Sequence, residues 1–278
     1  MTKVALVTGC SEGGIGFALC EALAFRAVTV YATARSLDSM KALDHPRIKK
    51  LVMDVKNDDD IQQVLRTIME AEGKIDLLFN NAGILAAGPL IDHTVDQFRD
   101  IYETNVVSLF RIVKSVVPLM AKRKEGMIVN IGSVVGDVPS VWTGVYDSSK
   151  AAVRSMTEVL AMECRPFNIK IMLAAPGSVR SKIIDKQGDY EMVPNTIYGA
   201  FHHNVLDRLA LGYTPDTITV KECADGIVGR ALSANPPSYF YIGGQTRLLR
   251  FLAWLPRVWA MSLMWRTFSK PAPKDKMT

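Results

Sequence analysis

Val4-Ala5-Leu6-Val7-Thr8-Gly9-Cys10-Ser11-Glu12-Gly13-Gly14-Ile15-Gly16 opens the chain, and its reading decides the fold. The first five residues are a short apolar run of the kind that forms a buried parallel strand. Glycines follow at once. Beyond them Phe17, Leu19, Cys20, Leu23 and Ala24 recur at helical spacing. Strand, glycine turn and helix, in that order, let a backbone approach a dinucleotide pyrophosphate and turn free helix N–H groups toward it. Gly9, Gly14 and Gly16, with Ser11, Glu12 and Ile15 among them, are the expected cofactor loop.

The next apolar run, Val28-Thr29-Val30-Tyr31-Ala32-Thr33-Ala34, ends at Arg35. A carboxylate near this point suits the free ribose of NAD, whereas an arginine suits a 2′-phosphate. The expected cofactor is therefore NADPH or NADP+. Strand-like runs lie near 3–8, 28–34, 48–53, 75–80, 126–131, 168–175 and 238–242, alternating with amphipathic segments. That alternation predicts a single α/β domain of Rossmann type, doubly wound, with seven parallel strands covered by helices on both faces. A chain of 278 residues, 49% hydrophobic, suffices for one such core. The domain is expected over 1–245, with 246–278 as a C-terminal amphipathic tail.

Tyr146-Asp147-Ser148-Ser149-Lys150 places a phenol and an ammonium four residues apart, on one face of a helix. A free phenol, with a pKa of about 10, exchanges protons poorly at neutral pH. The expectation is that Lys150 lowers the Tyr146 pKa. Tyr146 could then protonate a carbonyl oxygen or deprotonate an alcohol. Ser133, thirteen residues before the tyrosine, offers a hydroxyl to the same oxygen.

These segments together resemble the short-chain dehydrogenase/reductase family. The glycine segment is similar to its Thr-Gly-x-x-x-Gly-x-Gly signature, with one extra residue between Gly9 and Ile15. Asn80-Asn81-Ala82-Gly83 matches the segment after the fourth strand. Asp54, ending Leu51-Val52-Met53-Asp54-Val55, matches the acidic residue at the adenine ring. Pro176-Gly177-Ser178-Val179-Arg180-Ser181 is similar to the segment that holds the nicotinamide amide, with Ser181 in place of threonine. The resemblance runs from residue 3 to about 245. It implies catalytic roles for Ser133, Tyr146 and Lys150, and a water-relay role for Asn105. It also implies cofactor contacts from Asp54, Val55, Asn81, Ala82, Gly83, Tyr146, Lys150, Pro176, Gly177, Val179 and Ser181. Tyr31 to Arg35, Lys74 to Asn81 and the tail further resemble fungal acyl-dihydroxyacetone-phosphate reductases. The expected function is thus NADPH-dependent reduction of a lipid-like ketone, acyl-dihydroxyacetone phosphate first. A secondary-metabolite reductase or alcohol dehydrogenase (polyketide, terpenoid or steroid-like substrate) is the alternative, and a non-catalytic NADP-binding scaffold or sensor the second alternative.

Net charge is +5, with no basic-aromatic platform outside the tail, which excludes nucleic acid as the expected partner. Cys10, Cys20, Cys164 and Cys223 lack metal-ligand spacing, so free thiols and no metal are expected. The first strand begins within three residues, so no signal segment is expected. Residues 178–215, with Ile183, Ile184, Tyr190, Met192, Val193, Ile197, Tyr198 and Phe201, are expected to cover the substrate. Val134, Val135, Val138, Val141 and Trp142 are expected opposite them, and Arg180, Lys182, Lys186 and Arg208 are the cations available to a substrate phosphate. Residues 246–270 are apolar, rich in tryptophan and dotted with arginine, and the run is interrupted at Arg250, Pro256 and Arg257. That pattern suits a helix lying in a membrane interface rather than one spanning it, or else a lid or dimer contact. The expected location is the cytoplasmic side, peripheral on endoplasmic reticulum or lipid droplets. The resemblance implies a homo-oligomer.

Overall fold

The structure, a computed structural model, describes residues 2–185 and 190–270. Nine strands are described: β1 (Val4–Thr8), β2 (Thr29–Ala34), β3 (Ile48–Val52), β4 (Leu77–Asn80), β5 (Gly126–Ile131), β6 (Ile169–Pro176), β7 (Val179–Arg180), β8 (Ile218–Thr219) and β9 (Tyr239–Ile242). Seven form one sheet in the order β3-β2-β1-β4-β5-β6-β9, every pair parallel. All seven expected strands are there. The short β7 and β8 pair separately.

The helices are α1 (Ile15–Phe25), α2 (Asp58–Glu72), α3 (Val95–Tyr102), α4 (Ser108–Arg123), α5 (Gly144–Glu163), α6 (Lys182–Asp185), α7 (His202–Ala210), α8 (Val220–Ala231), α9 (Thr246–Trp254) and α10 (Arg257–Phe268). Leu19 and Leu23 of α1 and Ile227 and Val228 of α8 pack on one face of the sheet. Ile61 and Leu65 of α2, Ile112 and Val116 of α4, and Val153 of α5 pack on the other. The central strands β1, β5 and β6 are nearly all buried, which is why they read as continuous apolar runs, whereas the edge strands β3 and β9 are largely not. The run Val95–Arg123 is long and apolar enough to cross a membrane by length and composition, but its inner face is part of this core.

Winding outward from β1 in both directions leaves a crevice at the C-terminal ends of β1 and β4, where doubly wound sheets hold ligands. Helix α9 closes one side of it through Leu249, and α10 packs beside α9. Leu249, Leu252, Ala260 and Met264 pack on Val134, Val135 and Val138. Trp142 Nε1 donates to the carbonyl of Phe268 at 2.6 Å. Asp137 ties this layer down: it pairs with Arg154, accepts from Tyr241 Oη at 2.7 Å, and its carbonyl accepts from Arg257 Nη1 at 2.6 Å.

Candidate active site

A cleft of about 800 Å³ runs along that crevice. Its walls include Gly9, Ser11, Glu12, Gly14, Ile15, Arg35, Asp54, Val55, Asn81, Ala82, Gly83, Ser133, Tyr146, Lys150, Pro176, Gly177, Val179 and Ser181. Two expected residues lie behind the wall. Gly16 is one: a Cβ there would come 2.4 Å from both Asn81 Nδ2 and Gly9 O, so only glycine lets α1 seat on the β4 loop. Asn105 is the other. It sits in the π-helical turn Glu103–Val107 and spends its amide on Ile84 N and O and on Ser149 Oγ, at 2.8 to 3.0 Å.

The extra loop residue has a clear consequence. Gly9 and Gly13 both take left-handed backbone, φ +70 and +77, while Gly14 is the N-cap of α1. Gly13 packs against Lys182 and is not part of the cleft wall, whereas Gly14 is. No side chain caps α1, so its first N–H groups have no side-chain acceptor, and its first residue, Ile15, lines the cleft. An uncapped helix start behind a glycine turn fits a pyrophosphate. Ser36 and Ser39 line the cleft beside Arg35.

Ser133 caps the single turn Val134–Gly136 after β5, and its Oγ lies 3.4 Å from Pro176 O. Tyr146 and Lys150 share a face of α5, with Nζ 5.6 Å from the phenol ring centroid. Lys150 Nζ donates to Ile131 O at 2.9 Å, and burial lowers its pKa to about 8. The expected depression of the Tyr146 pKa is not found: burial first, and Asp147 second, push it up to about 12. The Ser133 hydroxyl and Arg208 pull it down, and Lys150 is not among the groups that do. Burial penalises the phenolate, and this outweighs a cation that is itself desolvated and turned to a carbonyl.

Sequence reasoning missed the meaning of Asp147. The side chain is buried, its Oδ2 accepts from Ser140 N at 2.6 Å and Oγ at 3.2 Å, and burial raises its pKa to about 6. Of the expected cations, Arg208 and Lys182 line the cleft, Arg180 is exposed away from it, and Lys186 lies outside the described residues. Val134 and Val135 line the cleft as expected. Val138, by contrast, is buried beneath the tail, and Val141 and Trp142 pack with Tyr190, Met192, Tyr198 and Phe201. Ile183 lines the cleft, Val193 and Ile197 are exposed, and the Ile184 side chain lies outside the described residues. All four cysteines are free and buried, and no cluster of metal-ligating residues occurs among the described residues.

A doubly wound sheet with this loop and this serine, tyrosine and lysine defines an oxidoreductase that uses a nicotinamide dinucleotide. The chain belongs to the short chain dehydrogenase family, whose profile matches residues 3–191. It is similar to the short-chain dehydrogenase virD of Hypocrea virens, 30% identical over 98% of this chain and 95% of that one. A short-chain dehydrogenase from Streptomyces avermitilis superposes with a TM-score of 0.81 at 29% identity, covering 97% of each chain. ElxO with NADP bound covers 89% of this chain and all of its own, at TM-score 0.74 and 25% identity. A Burkholderia phymatum relative in complex with NAD gives the same score and identity, covering 90% and 92%.

Proposed function

We propose that this chain is an NADP(H)-dependent reductase of a bulky, unphosphorylated ketone with an apolar skeleton, of the polyketide, terpenoid or steroid-like kind. One observation carries the reading: Ser133, Tyr146 and Lys150 meet on a dinucleotide cleft, with the phenol held in its protonated form. When bound, the dinucleotide supplies the hydride. Tyr146 gives its proton to the substrate oxygen, and Ser133 positions that oxygen. An alkoxide is more basic than a phenolate, so the transfer runs downhill even from a phenol at about 12. Lys150, fixed on Ile131 O, stands where it can hold a ribose hydroxyl and the phenolate that remains.

Arg35, Ser36, Ser39 and Ser11, with no carboxylate directly following β2, favour the 2′-phosphate of NADPH. Acyl-dihydroxyacetone phosphate fits less well. Its phosphate dianion needs several cations at the substrate end, where Arg208 stands without Arg180. NADPH consumption with acyl-dihydroxyacetone phosphate, set against a panel of unphosphorylated bulky ketones, tests the choice. Faster turnover of the phosphorylated substrate would reverse it.

The outer side of the tail favours a lipid surface. Trp254, Val258 and Trp259 are exposed there at 81%, 75% and 64%, and residues 246–270 hold five cations and no carboxylate. Sedimentation with vesicles containing anionic lipid, with and without residues 246–278, tests this. Equal partitioning of the two chains defeats it.

A further inference from the structure

Arg208 comes from α7 and lines the cleft on which Tyr146 stands. The wall around it is mostly apolar, with Leu209, Leu211, Val134 and Leu249 among its residues. A cation in such a wall is costly unless its donors meet acceptors. Guanidinium carries five N–H donors in a rigid plane and keeps its charge at any working pH. Ser140 Oγ accepts the Nε–H at 2.9 Å. The same hydroxyl reaches Asp147 Oδ2 at 3.2 Å and Thr143 Oγ1 at 3.0 Å, so its bonding capacity is filled.

Arg208 is therefore fixed in place through a hydroxyl, not by a direct ion pair. A counter-ion placed only to satisfy Asp147 would sit on the carboxylate. Instead the buried Asp147 Oδ1 has no hydrogen-bond partner, and the arginine reaches Ser140. The tether holds a planar cation on the wall of the cleft that also carries the Tyr146 phenol. The other cations of the cleft serve different ends. Arg35 follows β2, Lys56 pairs with Asp100, Lys182 packs against Gly13, and Lys150 is bound to Ile131 O.

We propose that Arg208 selects the substrate, its guanidinium holding one carboxylate group carried by the ketone. The inference rests on the ketone-reductase reading above and narrows its substrate class to monoanionic ketones. A carboxylate matches the planar fork with two parallel hydrogen bonds. One guanidinium, partly offset by Asp147, matches one negative charge and falls short of a phosphate dianion.

The test uses two substrates of one skeleton, 4-oxo-4-phenylbutanoate and its methyl ester, and a non-reacting probe, benzoate, titrated calorimetrically into the NADP+-loaded enzyme. The wild type is expected to prefer the acid by about 10- to 100-fold in kcat/KM, the worth of a charge-assisted hydrogen bond. Arg208→Leu should bring that ratio near unity, through KM more than kcat, and should weaken benzoate by a similar factor. Arg208→Lys should fall between. NADP+ affinity serves as the control for a folded protein, and the wild-type comparison stands even if Arg208→Leu does not fold. Equal use of acid and ester by the wild type overturns the proposal, as does an unchanged ratio in an Arg208→Leu protein that binds NADP+. If neither ketone consumes NADPH while benzoate affinity still depends on Arg208, the reductase reading fails and the anion site stands.

Discussion

At Tyr146 two effects of opposite sign meet, and burial is the larger. The spacing of Tyr146 and Lys150 correctly placed both on one helix face, yet it could not weigh desolvation against a neighbouring charge. The proton that burial retains is the one reduction requires. Tyr146→Phe should lower turnover by about 10²- to 10⁴-fold while leaving NADPH binding intact, as read by steady-state rates and fluorescence titration. Retained turnover would remove the phenol from the mechanism. Asp147 yields a second prediction. Its unfolded carboxyl ionises near 3.8, whereas the buried one keeps its proton to about 6. The folded state therefore binds more protons across that window, so stability falls as pH rises from about 4 to 6 and stays lower above it. Roughly two pK units correspond to on the order of 3 kcal/mol. Asp147→Asn keeps an acceptor for Ser140 and removes the titration. Urea unfolding at pH 4, 5, 6 and 7 should then show a flatter profile and a gain at neutral pH. An unchanged slope would show that Asp147 is not the group responsible.

Among the elements, α1 and the tail show how different parts of the chain build one cleft. Gly16 brings α1 against Asn81, whose Nδ2 donates to Thr8 O and Gly9 O at 2.9 and 3.0 Å. The loop is thereby braced from β4. Gly16→Ala should cost about 1–3 kcal/mol by overpacking and weaken NADPH, measured by unfolding and by titration. Full affinity in that variant would mean that the loop shifts freely. Helix α9 contributes Leu249 to the cleft wall and Leu252 to the layer beneath. Leu252→Ala should therefore cost about 2–4 kcal/mol and raise KM for apolar ketones. A negligible change in both would mean that the tail does not fold with the body.

For the whole molecule, charge is divided unevenly. Residues 246–278 hold seven cations and one carboxylate, so of the net +5 nothing positive remains for 1–245, which comes to −1. A body near neutrality with a cationic, tryptophan-bearing flank suits attachment to an anionic surface by that flank alone. Ligand linkage acts at this scale too. NADPH at 100 times its Kd should stabilise the fold by about 2.7 kcal/mol, and NADH at the same concentration by less. Arg35→Asp should narrow or reverse that difference in a thermal shift. Equal shifts in the native chain would refute the NADPH preference.

By itself the sequence determined the succession of strands and helices, the glycine turn, and the pairing of Tyr146 with Lys150. Each is a pattern within a few residues, where periodicity and backbone sterics decide the outcome. Tertiary structure alone decided the acidity of Tyr146, the meeting of Arg208 with Ser140 across 68 residues, and the seating of Phe268 on Trp142 across 126. Those depend on which distant side chains share a desolvated space, and no local spacing encodes it.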